Sequence, residues 1–171
     1  MSKFKLSTLA VAVSALGMLG FSTVSQADQN VVDQLSQLKV NVKVTDNRAA
    51  ENGGDCAALG ADWAACNQSV ITLTSDSDIK AKDWAIYFHN PRQVLDVKND
   101  QFKITFVTGD LHKIEPTDKF KGFTAGQAVE IPLIGEYWQL FESDVMPRWY
   151  VTSQDAKPKV IASTDTEDLR Q

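Results

Sequence analysis

The sequence is short of the side chains from which most active sites and metal centres are assembled. It has two histidines, His89 and His112, and two cysteines, Cys56 and Cys66. A zinc set needs three or four Cys, His or acidic ligands at close spacing, and neither pair supplies one. No Gly-x-Ser-x-Gly elbow, His-Glu-x-x-His motif or phosphate-binding loop occurs, so enzymes built on those motifs have no foothold. Asp110-x-His112 reads as a solvated turn rather than half a metal site. Asp76-x-Asp78 lacks the glycine and distal acid of a calcium loop and reads as a turn too. No metal and no cofactor is expected.

Positive charge is also scarce. Lys and Arg number 17 against 22 Asp and Glu, a net charge of −5. Nucleic-acid phosphates demand the opposite balance, so no nucleic-acid partner is expected. Long apolar runs are confined to the start. Lys3 and Lys5 precede an apolar run from Leu6 to Phe21, and Ser25-Gln26-Ala27 offers small residues at a cleavage site. Residues 1–27 therefore read as a secretory signal peptide cut after Ala27. Its loss removes two lysines and no acid, taking the charge from −5 to −7. The remaining 144 residues suit one domain with a real core. No later run is long enough for a membrane anchor. The chain is expected in the periplasm or outside the cell. Such compartments are oxidising, so a Cys56–Cys66 disulfide is expected over a two-thiol metal site.

What is there is mostly period-2 alternation. Leu38, Val40, Val42 and Val44 alternate with Lys39, Asn41, Lys43 and Thr45, a strand with one buried face. Val70–Thr74 is rich in β-branched residues. Trp84, Ile86 and Phe88 alternate with Ala85, Tyr87 and His89 until Asn90-Pro91 stops the strand. Phe102, Ile104 and Phe106 repeat the pattern. Thr108-Gly109-Asp110 marks a tight turn into Leu111–Ile114. Val129, Ile131 and Leu133 form another strand, which Pro132 assigns to a sheet edge or a strand end. Pro158–Ala162 is a last short strand, and Ser163–Gln171 is polar and linker-like. The Cys56–Cys66 segment reads as a helical turn or compact loop. No amphipathic helix of ten or more residues stands out after the leader. Short strands with turn signals between them predict an all-β, antiparallel β-sandwich over residues 28–162.

Gly135 to Val151 carries the densest aromatics. Tyr137-Trp138 and Trp149-Tyr150 flank an acidic bend at Glu142, Ser143 and Asp144. Such rings anchor a core or form a platform for a flat ligand. Alternation places Trp138 with Leu140, Trp149 with Val151, and Trp84 with Ile86 and Phe88, all in the core. Glu142 and Asp144 read as a solvated turn rather than the carboxylate pair of a glycosidase. Asn67-Gln68-Ser69 fits a glycosylation sequon, a pattern of low specificity.

Four runs carry a family resemblance. They are Asp83-Trp-Ala-Ile-Tyr-Phe-His89, Val107-Thr-Gly-Asp-Leu-His-Lys-Ile114, Tyr137-Trp-Gln-Leu-Phe141 and Met146-Pro-Arg-Trp-Tyr150. Together they resemble the N-terminal domain of bacterial chitobiases, the β-N-acetylhexosaminidases of glycoside hydrolase family 20. The resemblance runs from about Asp33 to Asp168. It implies a β-sandwich similar to cellulose-binding modules and a carbohydrate-binding role. It also implies that a small α/β domain and a (β/α)8 catalytic barrel follow, so residues 163–171 are expected to be a linker towards that portion. The family's hallmark Asp-Glu dipeptide is missing from this sequence, so no catalytic residue carries over. The expected partner is a chitin-type oligosaccharide, with Trp63, Tyr137 and Tyr150 as the aromatics that would meet it. The alternative partner is the catalytic domain of the same enzyme, with the module docking on it and binding no sugar.

Overall fold

Two-fold alternation does build the sheets. The computed structural model describes residues 25–139, 149–161 and 163–166. Its strands are β1 (Lys39–Asp46), β2 (Cys66–Thr74), β3 (Ala85–His89), β4 (Val94–Val97), β5 (Phe102–Thr108), β6 (Leu111–Pro116), β7 (Ala128–Glu136), β8 (Tyr150–Thr152), β9 (Lys159–Val160) and β10 (Ser163–Thr166). They form two five-stranded sheets, ordered β10-β1-β2-β7-β4 and β5-β6-β3-β8-β9. The described pairings are antiparallel except for β1 with β10. The antiparallel β-sandwich is therefore the fold.

One buried cluster takes side chains from both sheets. Val40, Val42, Val44, Ile71, Leu73, Ile131 and Leu133 come from the first, and Ile86, Phe88, Ile114 and Val151 from the second. Each large apolar side chain so buried contributes roughly 1.5–3 kcal/mol. At one end Trp84, Phe102, Phe120 and Phe123 pack ring against ring, with centroids 5.3–6.5 Å apart. Towards the other end Phe88 stacks on Trp149 at 4.6 Å. Trp84 and Trp149 are thus core residues, as their alternation implies. Along β5 the burial fades from Phe102 to the exposed Phe106. β5 is an edge strand, and its register slips between Phe106 and Thr108.

Several elements depart from the sequence reading. A ten-residue helix, α1 (Gln26–Leu35), straddles the expected cleavage site at Ala27. Its fully buried side chains are Val32 and Leu35, too few to write a helical period. Residues 1–24 of the expected leader lie outside the described residues. Strand β4 was not anticipated, because all four of its residues are half-buried and show no alternation. Ser163–Thr166, expected to begin a linker, forms β10 against β1. Pro132 does not mark a sheet edge, since β7 lies between β2 and β4. Its carbonyl accepts from the Lys98 amide at 2.8 Å. A strand residue points its N–H and C=O to the same side, so the missing donor faces the place where β4 has already ended. Among the described residues no helix is long and apolar enough to cross a membrane.

Candidate functional site

Among the described residues the most exposed large ring, Trp63, sits on a strapped turn. Cys56 and Cys66 are joined as a disulfide. Both are buried, in a small cluster with Ala49 and Ala61. Within the loop, Ala61 donates to the Cys56 carbonyl at 3.0 Å. A single 3-10 turn, Asp62–Ala64, follows before β2 begins at Cys66. Trp63 and Ala64 both have left-handed backbones, with φ of 58° and 51°. For residues with a Cβ that conformation costs roughly 1–2 kcal/mol each. The result is a Trp63 side chain that is 91% exposed. Backbone strain of this kind clusters at ligand sites, which makes Trp63 a candidate.

Tyr137 reaches the same end from the other direction. It follows the last residue of β7 and is also left-handed, with φ of 57°. Three bonds define that bend. The Tyr137 amide donates to the Ala65 carbonyl at 2.9 Å. The Asn67 side-chain amide donates to the Tyr137 carbonyl at 2.9 Å. Asn67 itself is oriented by the Ser69 hydroxyl, which donates to its Oδ1 at 2.7 Å. Gly135 makes room for this arrangement, because a Cβ there would lie 2.8 Å from Asn67 Nδ2. Asn67 is fully buried, so its sequon offers no glycan acceptor.

Beside Tyr137 lie Arg92 and Trp138. The Arg92 guanidinium sits 5.6 Å from the Tyr137 ring centroid. Its Nε donates to the Trp138 carbonyl at 3.2 Å. Trp138 is 45% exposed, so it is not a core residue. Alternation failed here because the left-handed Tyr137 breaks the two-residue period just before it. The next residue, Gln139, is buried and exchanges two bonds with Asn47 at 2.9 Å, and its amide donates to Asn90 at 3.0 Å. Loss of water, then the charges of Asp62 and Glu136, push the Tyr137 phenol above its ordinary range, with Arg92 opposing. Its hydroxyl therefore stays protonated, a donor as well as an acceptor at neutral pH.

Tyr150 is elsewhere. It lies on the outer face of β8, opposite Tyr87 of β3. Their rings stack at 5.0 Å with planes 3° apart. The three aromatics singled out from sequence thus divide into two places, Trp63 and Tyr137 at one end and Tyr150 on a sheet face. Arg92, Trp138 and Tyr87 were missed. Arg92 and Tyr87 carry no sequence signal of their own, since each is defined by a partner distant in the chain.

Comparison with known proteins gives this geometry a context. A family model described as "Putative carbohydrate binding domain" matches residues 37–171. The chain belongs to this family. As a carbohydrate-binding domain it is 50% identical over 162 residues to N,N'-diacetylchitobiase of Vibrio harveyi, covering 93% of this chain and 18% of that protein. It is 33% identical over 141 residues to a β-hexosaminidase of Vibrio vulnificus, covering 82% and 16% respectively. The domain thus spans less than a fifth of the length of these relatives. Its fold is similar to part of a solved family 20 exo-β-N-acetylglucosaminidase of Vibrio harveyi in complex with N-acetylglucosamine. That match has a TM-score of 0.52 and 17% identity, covering 79% of this chain and 19% of that one.

The remaining candidates in the carbohydrate-binding domain are structural. His89 Nδ1 lies 3.0 Å from Asp110 Oδ1 across the β3 and β6 ends. His112 is buried between Phe88 and Phe106, and burial pushes its pKa down. Asp76 pairs with Lys39 at 3.0 Å, while Asp78 accepts from the Ala125 amide at 2.8 Å. Among the described residues no three acidic, His or Cys side chains gather as a metal site. Glu142 and Asp144 lie outside the described residues.

Proposed function

We propose that this domain binds chitin-type oligosaccharides at the end of the sandwich that carries Trp63, Tyr137 and Trp138. On this reading it is the carbohydrate-binding, non-catalytic part of an exported β-N-acetylhexosaminidase, with a leader cut after Ala27. The observation that carries the site is Trp63, 91% exposed on a turn of two left-handed residues strapped by a disulfide. Sugar rings present C–H faces that pack on aromatic planes, and polar groups beside the rings fix the hydroxyls. Asp62, Glu136, Arg92 and the Tyr137 hydroxyl supply both donors and acceptors beside the rings. The choice of N-acetylglucosamine units rests on what the relatives are named for.

Calorimetric titration of the pure domain with N-acetylglucosamine oligomers tests this. An exposed site with two or three stacking rings, each worth about 0.5–1.5 kcal/mol, should bind weakly, at about millimolar. Trp63→Ala should weaken binding by about tenfold. Equal affinity in wild type and Trp63→Ala would remove Trp63 from the site. A chromogenic N-acetylglucosaminide should not turn over. The docking alternative draws on the short span of the domain within its relatives. A co-expressed catalytic portion retained by wild type but not by Trp63→Ala, without sugar binding, would favour it.

A further inference from the structure

We infer that the domain carries a second saccharide site, on the outer face of the β5-β6-β3-β8-β9 sheet, that takes one N-acetylhexosamine unit beside the Tyr87–Tyr150 stack. The inference rests on the carbohydrate-binding reading but not on the residues assigned above.

Strand register makes the site. Tyr87 is opposite Tyr150, and two residues along the same strands Ala85 is opposite Thr152. Residues two apart in a strand share a face, about 7 Å apart. A row of two large rings therefore stands beside a row of two short side chains, and the step between them is a hollow. A groove of about 280 Å³ lies at the short row, lined by Ala85, Thr152, Lys82, Asp83, Lys103 and Glu115 among others, with neither tyrosine in its wall. Small-molecule pockets span roughly 300–1,000 Å³, so this one suits a single pyranose rather than a chain segment.

The lining chemistry is that of a neutral, hydroxyl-rich ligand. Glu115 accepts from Lys113 at 3.1 Å and from Lys103 at 3.2 Å. Burial pushes its carboxyl up, but hydrogen bonds from Lys113 and Lys103 outweigh it and hold the pKa below the ordinary value. The carboxylate stays ionised and offers acceptors, while the two ammonium groups, partly neutralised by it, offer donors. In the wall itself Lys82 and Lys103 balance Asp83 and Glu115, which leaves no strong demand for an anionic ligand. Gln154 and Thr152 add donor–acceptor groups on the facing side. Trp84, Ala85 and Pro116 give the groove an apolar side on which the C–H groups of a sugar can rest.

The experiment is amide shift mapping of the 171-residue chain with N-acetylglucosamine and its trimer as probes. The expected result is saturable shifts at Ala85, Glu115 and Thr152, in wild type and in Trp63→Ala alike. Thr152→Trp, which fills the hollow from a solvent-facing position, should abolish those shifts. Glu115→Gln should weaken them by about tenfold. Shifts confined to the Trp63 and Tyr137 amides would overturn this inference and leave the proposed function standing. Shifts nowhere, with either probe, would overturn both. Sheet-face shifts that persist unchanged in Thr152→Trp would overturn the groove as the site.

Discussion

Breaking the Cys56–Cys66 strap should separate its effect on stability from its effect on the site. The perturbation is Cys56→Ala with Cys66→Ala. Alanine is the right replacement because both positions are buried and a serine hydroxyl there would want a partner. The bridge joins residues ten apart, a closed loop of eleven counting both ends. The chain-entropy model assigns such a loop about 3 kcal/mol of unfolded-state constraint. In urea that should lower the midpoint by about 1–3 M, given slopes of roughly 1–3 kcal/mol per molar. The measured loss should fall short of that figure, because Trp63 and Ala64 could then relax from left-handed backbones costing roughly 1–2 kcal/mol each. The same relaxation should degrade sugar binding. The assay pairs urea melts with N-acetylglucosamine oligomer titration, on oxidised wild type, reduced wild type and the double variant. A full stability loss with unchanged affinity would refute the claim that the disulfide holds the turn. An unchanged midpoint would refute the entropy argument itself.

Three further predictions follow from neighbouring features. Gly135→Ala should destabilise by about 1–3 kcal/mol by driving a Cβ against Asn67 Nδ2, and should also weaken sugar binding through Tyr137; thermal melts and titration check both. Burial depresses the His112 pKa below its ordinary 6.5, so the unfolded chain binds that proton more readily. His112 thus costs nothing above about pH 6.5 and subtracts stability as pH falls from there to its folded pKa, so urea midpoints at about pH 5 should lie below those at about pH 7.5, and His112→Leu should flatten that difference. Glu115, whose folded pKa is lowered, loses its contribution in a separate window, as pH falls below 4.5 and through the folded value. Trp149→Ala should cost about 3–5 kcal/mol, but Trp138→Ala only about 0.5 kcal/mol; equal losses in denaturant melts would contradict their assignment to core and surface.

Strands were legible where one face is buried and the other wet. Val40, Val42 and Val44 show this, as do Ile131 and Leu133. Where burial is even along a strand, as in β4, hydropathy has nothing to alternate with. β10 is built from polar residues whose strand state depends on the edge of β1. The site was legible only as a list of rings. Whether a ring faces core or solvent followed from alternation until a left-handed residue intervened, which is why Trp138 was misplaced and Trp149 was not. Tyr87 next to Tyr150, and Ala85 next to Thr152, are facts of register between strands far apart in sequence. No local pattern records them.

The first elements of the domain are completed by its last. Lys159 reaches Asp33 of α1 at 2.9 Å, the Lys157 amide donates to the Gln29 side chain at 3.0 Å, and β10 closes the free edge of β1. A ribosome delivers these partners in the least convenient order. Until residues 157–166 have been made, α1 lacks its clamp and β1 keeps one bare edge. Such long-range closure slows folding and favours an all-or-none transition over stepwise assembly. The nascent domain should therefore remain open until residues 157–166 have been made, and close only then.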